Sequence, residues 1–151
     1  MKTILTLIML ALCASAQARI GETVDECVKR YGKPEKYDEA AKAFICNKDG
    51  VLILLWFTEG KCCKIVLVKQ RDKNNLPEFF SEVELETLLA ANGEGWQKIK
   101  TGLTTSWQNA DGSRLAQYSS LDGSLVLMTR AQVELDAAAV DAAEKAKLKN
   151  F

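Results

Sequence analysis

The stretch FICNKDGVLILLWFTEGKCCKIVLV, residues 44–68, places two turn signals between runs of β-branched, aliphatic and aromatic residues. The signals are Asp49-Gly50 and Glu59-Gly60. A two-residue hairpin loop favours such pairs, because both loop positions need a left-handed backbone. The stretch therefore predicts three consecutive antiparallel strands.

The loop lengths predict the register of this meander. Two-residue loops place Cys46 opposite Ile53, and Trp56 opposite Cys63. One predicted face carries Ile45, Leu52, Leu54, Trp56, Cys63, Ile65 and Leu67, and the other carries Phe44, Cys46, Ile53, Leu55, Phe57, Cys62, Lys64 and Val66. Because both faces are largely apolar, we expect both to be covered, one by a helix and the other by a second module or a partner.

The same organisation returns in WQNADGSRLAQYSSLDGSLVLMTR, residues 107–130, with Asp111-Gly112 and Asp122-Gly123 in the turn positions. A capping box precedes each meander, TVDE at residues 23–26 and SEVE at residues 81–84. Each box begins a predicted helix, which Gly32 or Gly93 should end. The matching order predicts an internal repeat, although two unrelated segments of similar pattern remain an alternative.

These signals predict an α+β fold of two tandem modules, each a helix plus a three-stranded antiparallel meander, with a C-terminal helix. The predicted boundaries are a signal peptide at 1–18, a first α-βββ module at 19–70, a linker at 71–80, a second α-βββ module at 81–130, and a C-terminal helix or tail at 131–151. Residues 35–42 fit either a short helix or a loop.

Residues 1–18, MKTILTLIMLALCASAQA, have the organisation of a secretory signal peptide: a basic start, an apolar centre and small residues at the end. The apolar run is shorter than the roughly 20 residues that a membrane span needs. Leu12 precedes Cys13 where a lipobox has a small residue, so we do not expect a lipid anchor. The protein is therefore predicted to be periplasmic or secreted.

Charge composition argues against nucleic-acid binding. The sequence has 20 Lys and Arg against 20 Asp and Glu. A balanced charge gives no attraction to nucleic acid or to anionic lipid. We expect no nucleic acid, no membrane span and no cofactor, and a partner that is another protein of the envelope or exterior.

Four cysteines remain beyond the predicted signal peptide, and in an exported chain an even number favours disulfides. They are Cys27, Cys46, Cys62 and Cys63. Cys62 and Cys63 are adjacent on one predicted strand and point to opposite faces, so a bond between them is the least expected pairing. The helix face that carries Cys27 should lie on this sheet, which favours a bond to either Cys62 or Cys63.

A short motif in the first predicted helix resembles the opening of the SmpA/BamE-like outer-membrane lipoproteins. That pattern is a glycine, a Ser or Thr two residues later, an apolar helix and then Gly-x-Pro, here carried by Gly21, Thr23, Cys27, Tyr31, Gly32 and Pro34. The tandem organisation is similar to that of the β-lactamase inhibitor protein. The resemblance implies a non-catalytic exported protein that acts by surface contact, and it transfers no functional residue.

The chemistry of the sequence argues against an enzyme. It contains no histidine, which excludes Ser/His and Cys/His nucleophile pairs and imidazole zinc sites. The cysteines have no C-x-x-C spacing, so we expect neither a zinc site nor a thioredoxin-like motif. We therefore expect no catalytic and no metal site, and a binding or scaffolding role through protein contact. The alternatives are a thiol-disulfide sensor or chaperone-like protein that uses Cys62-Cys63, and a hydrolase that uses acids alone.

Aromatic residues are the candidates for a contact surface, because Trp and Tyr are enriched at interface hot spots. We select Trp56, Trp107 and Tyr118. If Trp56 and Tyr118 both point away from the helices, they could line one groove across the paired sheets.

Overall fold

The computed structural model describes residues 19–40 and 42–148, so the predicted signal peptide, residues 1–18, lies outside the described residues. Within these ranges the chain forms three helices and eight strands. In chain order they are α1 (Val24–Tyr31), β1 (Lys36–Asp38), β2 (Ala43–Lys48), β3 (Val51–Thr58), β4 (Lys61–Lys69), α2 (Glu82–Ala91), β5 (Gln97–Lys100), β6 (Thr104–Gln108), β7 (Arg114–Ser119), β8 (Leu125–Thr129) and α3 (Arg130–Leu148).

All eight strands belong to one antiparallel sheet in the order β1-β2-β3-β4-β8-β7-β6-β5. The junction is the pairing of β4 with β8, in which Ile65 lies opposite Leu127 and Leu67 opposite Leu125. The prediction of two tandem helix-plus-three-strand modules is therefore wrong. The last strands of the two predicted meanders pair with each other and form one sheet, because β4 and β8 are apolar on both sides and each covers the other's free edge.

Two short strands were not predicted from the sequence. β1 occupies Lys36–Asp38 and β5 occupies Gln97–Lys100, so each of the first two helices is followed by four strands. Both are polar segments without apolar alternation, and their pairing partners determine their conformation. The second helix also departs from the predicted pattern, because its C-cap is Asn92 and not Gly93. An internal repeat of α-βββ units is not supported.

The turn predictions of the first meander and both capping boxes are confirmed, whereas Asp111-Gly112 and Asp122-Gly123 lie in longer connections in which neither aspartate has a positive φ. Asp49 and Gly50 have φ angles of 51° and 77°, and Glu59 and Gly60 have 52° and 73°, as a two-residue hairpin loop requires. Both capping boxes are present, and the first helix ends at Gly32, whose φ of 86° favours glycine. The C-terminal helix is present as α3.

The register agrees with the prediction up to Cys62 and then departs from it. Cys46 pairs with Ile53, and Phe57 pairs with Cys62, as expected. A β-bulge follows, so that Lys64, and not Cys63, pairs with Trp56. Because of the extra residue, each later side chain of β4 lies on the opposite sheet face from the predicted one.

The core lies between the sheet and the first two helices, which pack on the same face. The buried apolar residues of this layer include Cys27, Cys46, Ile53, Leu55, Cys62, Ile65, Leu67, Leu85, Leu89, Ala116, Leu125 and Leu127. Along β3, β4 and β8 these buried positions alternate with partly exposed ones. The buried core therefore lies on one face of the sheet, and the apolar side chains of these strands on the other face stay partly exposed.

Asn92 connects the start of the described chain to the end of α2. Its side chain is fully buried, with 0% exposure. Its Oδ1 accepts a hydrogen bond from the backbone nitrogen of Ile20 at 2.9 Å, and its Nδ2 donates to the carbonyl of Leu88 at 3.0 Å. The guanidinium of Arg114 donates to the Asn92 carbonyl. One buried residue, through its side-chain amide and its backbone carbonyl, thus connects three separate parts of the chain.

Replacing Asn92 with alanine should lower the free energy of unfolding by about 2–4 kcal/mol, because the buried Ile20 nitrogen loses its acceptor. Urea unfolding followed by circular dichroism measures the change. The matched control is Asn74→Ala in the exposed loop before α2, which should change stability by less than about 0.5 kcal/mol. Equal effects of the two substitutions would contradict the role of Asn92.

Tyr31 is the last residue of α1, and its hydroxyl group is buried. The residue is 7% exposed, and its Oη has no hydrogen-bond partner within the described residues. Burial raises the pKa of this phenol well above its usual range. A buried polar atom without a partner costs stability, while the ring itself contributes to the core.

Tyr31→Phe should leave stability unchanged or raise it by up to about 1 kcal/mol, because it removes the unpaired hydroxyl and keeps the ring. Tyr31→Ala should lower stability by about 3 kcal/mol through the cavity it creates. Thermal and urea unfolding of both variants test this pair. A loss of more than about 1 kcal/mol in Tyr31→Phe would show that the hydroxyl is stabilising.

Candidate interaction surface

The sheet face opposite α1 and α2 carries a continuous set of apolar side chains, and we call it the open face. Its members come from β2, β3, β4 and β8, and each is partly exposed. They are Ile45, Leu52, Leu54, Trp56, Val66, Val68, Val126 and Met128. Register and alternation put all eight on one side of four neighbouring strands.

The bulge in β4 brings Val66 onto the open face. The predicted register placed Lys64 and Val66 on the sheet face of Cys46, and Ile65 on the face of Trp56. In the structure Lys64 and Val66 share the face of Trp56, and Ile65 lies on the face of Cys46. A signal for this was present in the sequence. The predicted register placed the charged Lys64 on the face that carries Cys27's helix, where burial of an amine is costly.

Helix α3 covers one end of the open face. The Cys63 thiol donates to Gln132 Oε1 at 3.2 Å, and Lys64 Nζ donates to Asp136 Oδ2 at 2.8 Å. Beyond Asp136 the helix is exposed, and Val140 has 57% exposure. The remainder of α3 therefore leaves the apolar sheet face uncovered.

Trp56 is the aromatic residue of the open face. Lys64 Nζ lies 5.3 Å from its ring centroid, a distance at which a cation is attracted to the ring. The same ammonium binds Asp136. Burial alone would raise the pKa of Asp136, but the hydrogen bonds from Lys64 and Gln132 leave it lowered. A charged pair thus fixes one side of the Trp56 ring.

Trp107 and Tyr118 lie on the helix side of the sheet. Trp107 is 8% exposed and, with Trp96, lines a groove of about 500 Å³ beside the end of α2. Tyr118 packs against Phe80 with ring centroids 6.5 Å apart. The structure therefore does not bring the three selected aromatic residues together, and Trp56 alone among them is on the open face.

The four cysteines are buried free thiols, and no disulfide is present among the described residues. Cys62 and Cys63 face different elements. Cys62 contacts Cys27 of α1, whereas Cys63 contacts Gln132 of α3. Cys46 is buried in the same core layer as Cys27, and burial raises the pKa of its thiol.

Two further cavities flank the helices. A polar groove of about 620 Å³ lies where α1 meets the end of α2, with Arg19, Glu22, Glu26, Lys61, Glu94 and Arg114 among its lining residues. A cavity of about 410 Å³ lies between α2 and the start of β3, beside Lys69, Phe80 and Glu84. Neither contains a cluster of metal-ligating side chains, since the described residues hold no such group.

Glu84 is the carboxylate with the strongest shift among the described acids. Hydrogen bonds from Lys69 and from the backbone of Ser81 lower the pKa of Glu84 to about 2. Lys69 Nζ lies 2.7 Å from its Oε1. The carboxylate therefore couples the N-terminus of α2 to the end of β4, and no feature of it resembles a general acid, which needs a raised pKa.

Because the folded-state pKa of Glu84 is lowered, its contribution to stability is complete above pH 4.5 and is lost as the pH falls toward 2. Glu84→Gln should therefore destabilise the protein more at pH 6 than at pH 3. The difference should be about 1 kcal/mol or less, because the side chain is 43% exposed and solvent screens it. Urea unfolding at both pH values measures this.

The matched control is Glu86→Gln on the exposed side of α2, which should show the same small effect at both pH values. An effect of Glu84→Gln that does not depend on pH would contradict the coupling to Lys69.

No helix within residues 19–40 and 42–148 combines the length and apolar character of a membrane-crossing segment. No protein-family model matches the sequence, and no curated protein matches it.

Two solved structures are similar to parts of the chain. One is a cysteine-rich secretory protein from Staphylococcus aureus subsp. aureus Mu50, with 8% identity and a TM-score of 0.43 over 76% of this chain and 46% of that one. The other is an extracellular protein containing a SCP domain from Bacillus anthracis str. Ames, with 13% identity and a TM-score of 0.39 over 74% of this chain and 44% of that one. The chain spans slightly less than half of each, and similarity at this level assigns no function.

The resemblance to SmpA/BamE-like proteins is wrong. The Gly-x-Pro motif after α1 is real, but it ends a helix that packs on an eight-stranded sheet and not on a small meander. The motif was misleading because a capping box and a glycine stop are general helix-end signals.

Proposed function

We propose that the protein is an exported, non-enzymatic binding protein that docks a protein partner on the open face. One observation carries this proposal: the helix side of the sheet holds the buried core, whereas the other side has no fully buried core layer and keeps eight partly exposed apolar side chains on β2, β3, β4 and β8. A continuous exposed apolar patch of this kind is typical of an interaction site.

The shape and chemistry of the open face favour a protein partner. Four neighbouring strands about 4.8 Å apart present a broad aliphatic surface with Trp56 at one end. The charged pair of Lys64 and Asp136 lies beside Trp56 at the border of this surface. Aliphatic side chains, an aromatic anchor and a polar rim are usual components of a protein interface. The equal numbers of basic and acidic residues give no support to a nucleic-acid partner.

The acidic residues support a non-enzymatic role. Asp111 and Asp122 accept hydrogen bonds from Ser113 and Ser124 in the two turns, and these bonds lower the pKa of each carboxyl group. Asp72 likewise accepts hydrogen bonds from its own loop, which lower its pKa. All three therefore stabilise turns, whereas a catalytic acid near neutral pH needs a raised pKa.

Export is proposed from the signal-like organisation of residues 1–18, which places the protein in the periplasm or outside the cell. An apolar docking surface is compatible with this location when a partner is present there. Both similar solved structures are described as secretory or extracellular proteins.

Capture with the purified protein from the native envelope or medium tests the proposal. A partner bound through the open face should be lost with Leu54→Asp, because a carboxylate would be buried in the apolar contact. Trp56→Ala should weaken binding at least about 30-fold, corresponding to about 2 kcal/mol. Titration calorimetry with the identified partner measures both effects.

The matched control is Val83→Asp, which introduces the same charge on α2, where Val83 is 71% exposed on the other side of the molecule. This variant should bind like the wild type, and circular dichroism should show that all variants are folded. A partner that binds Leu54→Asp normally, or turnover of a substrate by the purified protein, would contradict the proposal. Sedimentation distinguishes a foreign partner from a second copy of the chain.

A further inference from the structure

Backbone hydrogen bonds fix the segment just before α1 against the start of β4. The Gly21 nitrogen donates to the Cys62 carbonyl at 2.8 Å, and the Cys62 nitrogen donates to the Glu22 carbonyl at 2.7 Å. Thr23 continues this pairing with Lys61 and also caps the helix. Cys27 follows within the first turns of α1, so the backbone brings it over Cys62.

The two thiols are in contact and shielded from solvent. Cys27 is 2% exposed and Cys62 is 0% exposed. Both belong to one buried core cluster, and the interaction between the two thiols lowers the pKa of Cys27 and raises the pKa of Cys62. Two cysteine side chains that meet across packed elements in this way need little movement to form a bond.

The other two cysteines have different surroundings. The Cys63 thiol lies on the opposite side of β4, where it donates to Gln132 and lies 3.3 Å from Thr58 Oγ1. Cys46 belongs to β2, and burial is the main cause that raises the pKa of its thiol. The bulge at Cys63 therefore separates the adjacent pair, and Cys62 is the member that faces α1.

We propose that Cys27 and Cys62 form a disulfide that joins α1 to β4 in the mature protein, while Cys46 and Cys63 stay thiols. The proposal rests on the export part of the proposed function, which supplies an oxidising compartment. It is independent of the open face, because Cys27 and Cys62 lie on the other side of the sheet.

The oxidant is a disulfide of the thiol-oxidase class or of a small thiol such as glutathione. The Cys27 thiolate attacks one sulfur of that disulfide and expels a thiolate, which leaves a mixed disulfide on Cys27. The Cys62 sulfur, after losing its proton to solvent, then attacks the Cys27 sulfur and expels the second thiolate. Two cysteine thiols are oxidised, one external disulfide is reduced to two thiols, and the electrons balance.

Both sulfur atoms are buried in the folded state, so the external disulfide reacts before α1 docks or when it undocks. In that state either cysteine can attack first, and the step balances equally with the two cysteines exchanged. Docking of α1 then brings the second thiol to the mixed disulfide, because the backbone pairing of residues 21–23 with β4 places Cys27 over Cys62.

The bond would secure the shorter of the two helices of the core layer. α1 has eight residues, and its buried side chains are Cys27 and Tyr31. A helix of this length is not stable alone and depends on its contacts. A covalent link from Cys27 to Cys62 of β4 removes the conformations in which α1 is separated from the sheet.

Peptide mapping under non-reducing conditions tests the proposal on the full chain recovered from the medium or periplasm after acid quenching and alkylation in denaturant. We expect two alkylated cysteines and one cross-link per molecule, which joins residues 20–29 to residues 62–64 after trypsin digestion. Because Cys62 and Cys63 share the second peptide, variants must distinguish them. The cross-link should persist in Cys63→Ser and in Cys46→Ser, and it should be absent from Cys62→Ser and Cys27→Ser.

The change in Tm on reduction is a second test, for the case that a variant is recovered in low yield because it folds poorly. Reduction of the wild-type protein should lower Tm by roughly 10 °C. Cys46→Ser should show the same shift, whereas Cys27→Ser should show none. These readouts do not involve partner binding, so their outcome is separate from that of the docking proposal.

If the recovered protein carries four alkylated cysteines, the purified reduced chain is exposed to glutathione disulfide and mapped again. Formation of the same cross-link supports the proposal. Four free thiols after this treatment, a cross-link that contains Cys46, or one that survives in Cys62→Ser would overturn it.

Discussion

The bulge at Cys63 determines how the rest of the structure is arranged around β4. Without the extra residue, Ile65 and Leu67 would leave the core and Lys64 would enter it. With it, Ile65 pairs with Leu127 in the buried layer, and Lys64 turns to Trp56 and α3. β4 pairs with β3 on one side and with β8 on the other. The orientation of its side chains therefore determines which side chains of both halves of the sheet lie in the same layer.

The two faces of the sheet consequently have different roles. Both α1 and α2 pack on one face, where the Asn92 side chain connects α2 to the start of the described chain. The other face has α3 at one end and apolar side chains elsewhere. The covered face contributes stability, and the open face is the part of the molecule that remains available for a partner. Burying partly exposed aliphatic side chains there contributes about 25 cal/mol for each Å² removed from water.

Local features were predictable from the sequence, and long-range ones were not. The capping boxes, the turn at Asp49-Gly50 and the stop at Gly32 depend on neighbouring residues, so short motifs identify them. The pairing of β4 with β8 joins strands about sixty residues apart, and no local pattern specifies it. The position of Trp56 was predicted on the correct strand, but its neighbours Lys64 and Val66 required knowledge of the bulge. Asn92 carried a signal that was not used, since it is a polar residue on the apolar face of α2.

The outermost strands of the sheet give the molecule protection against unwanted growth. β1 has three residues, and β5 has four, with lysines at both Lys98 and Lys100 and an irregular register with β6. Short, charged and irregular borders are poor templates for an incoming strand, which discourages fibril-like stacking of copies. The described part of the chain thus combines eight strands and a partly exposed apolar sheet face with lateral edges that do not present a usable row of backbone hydrogen-bonding groups.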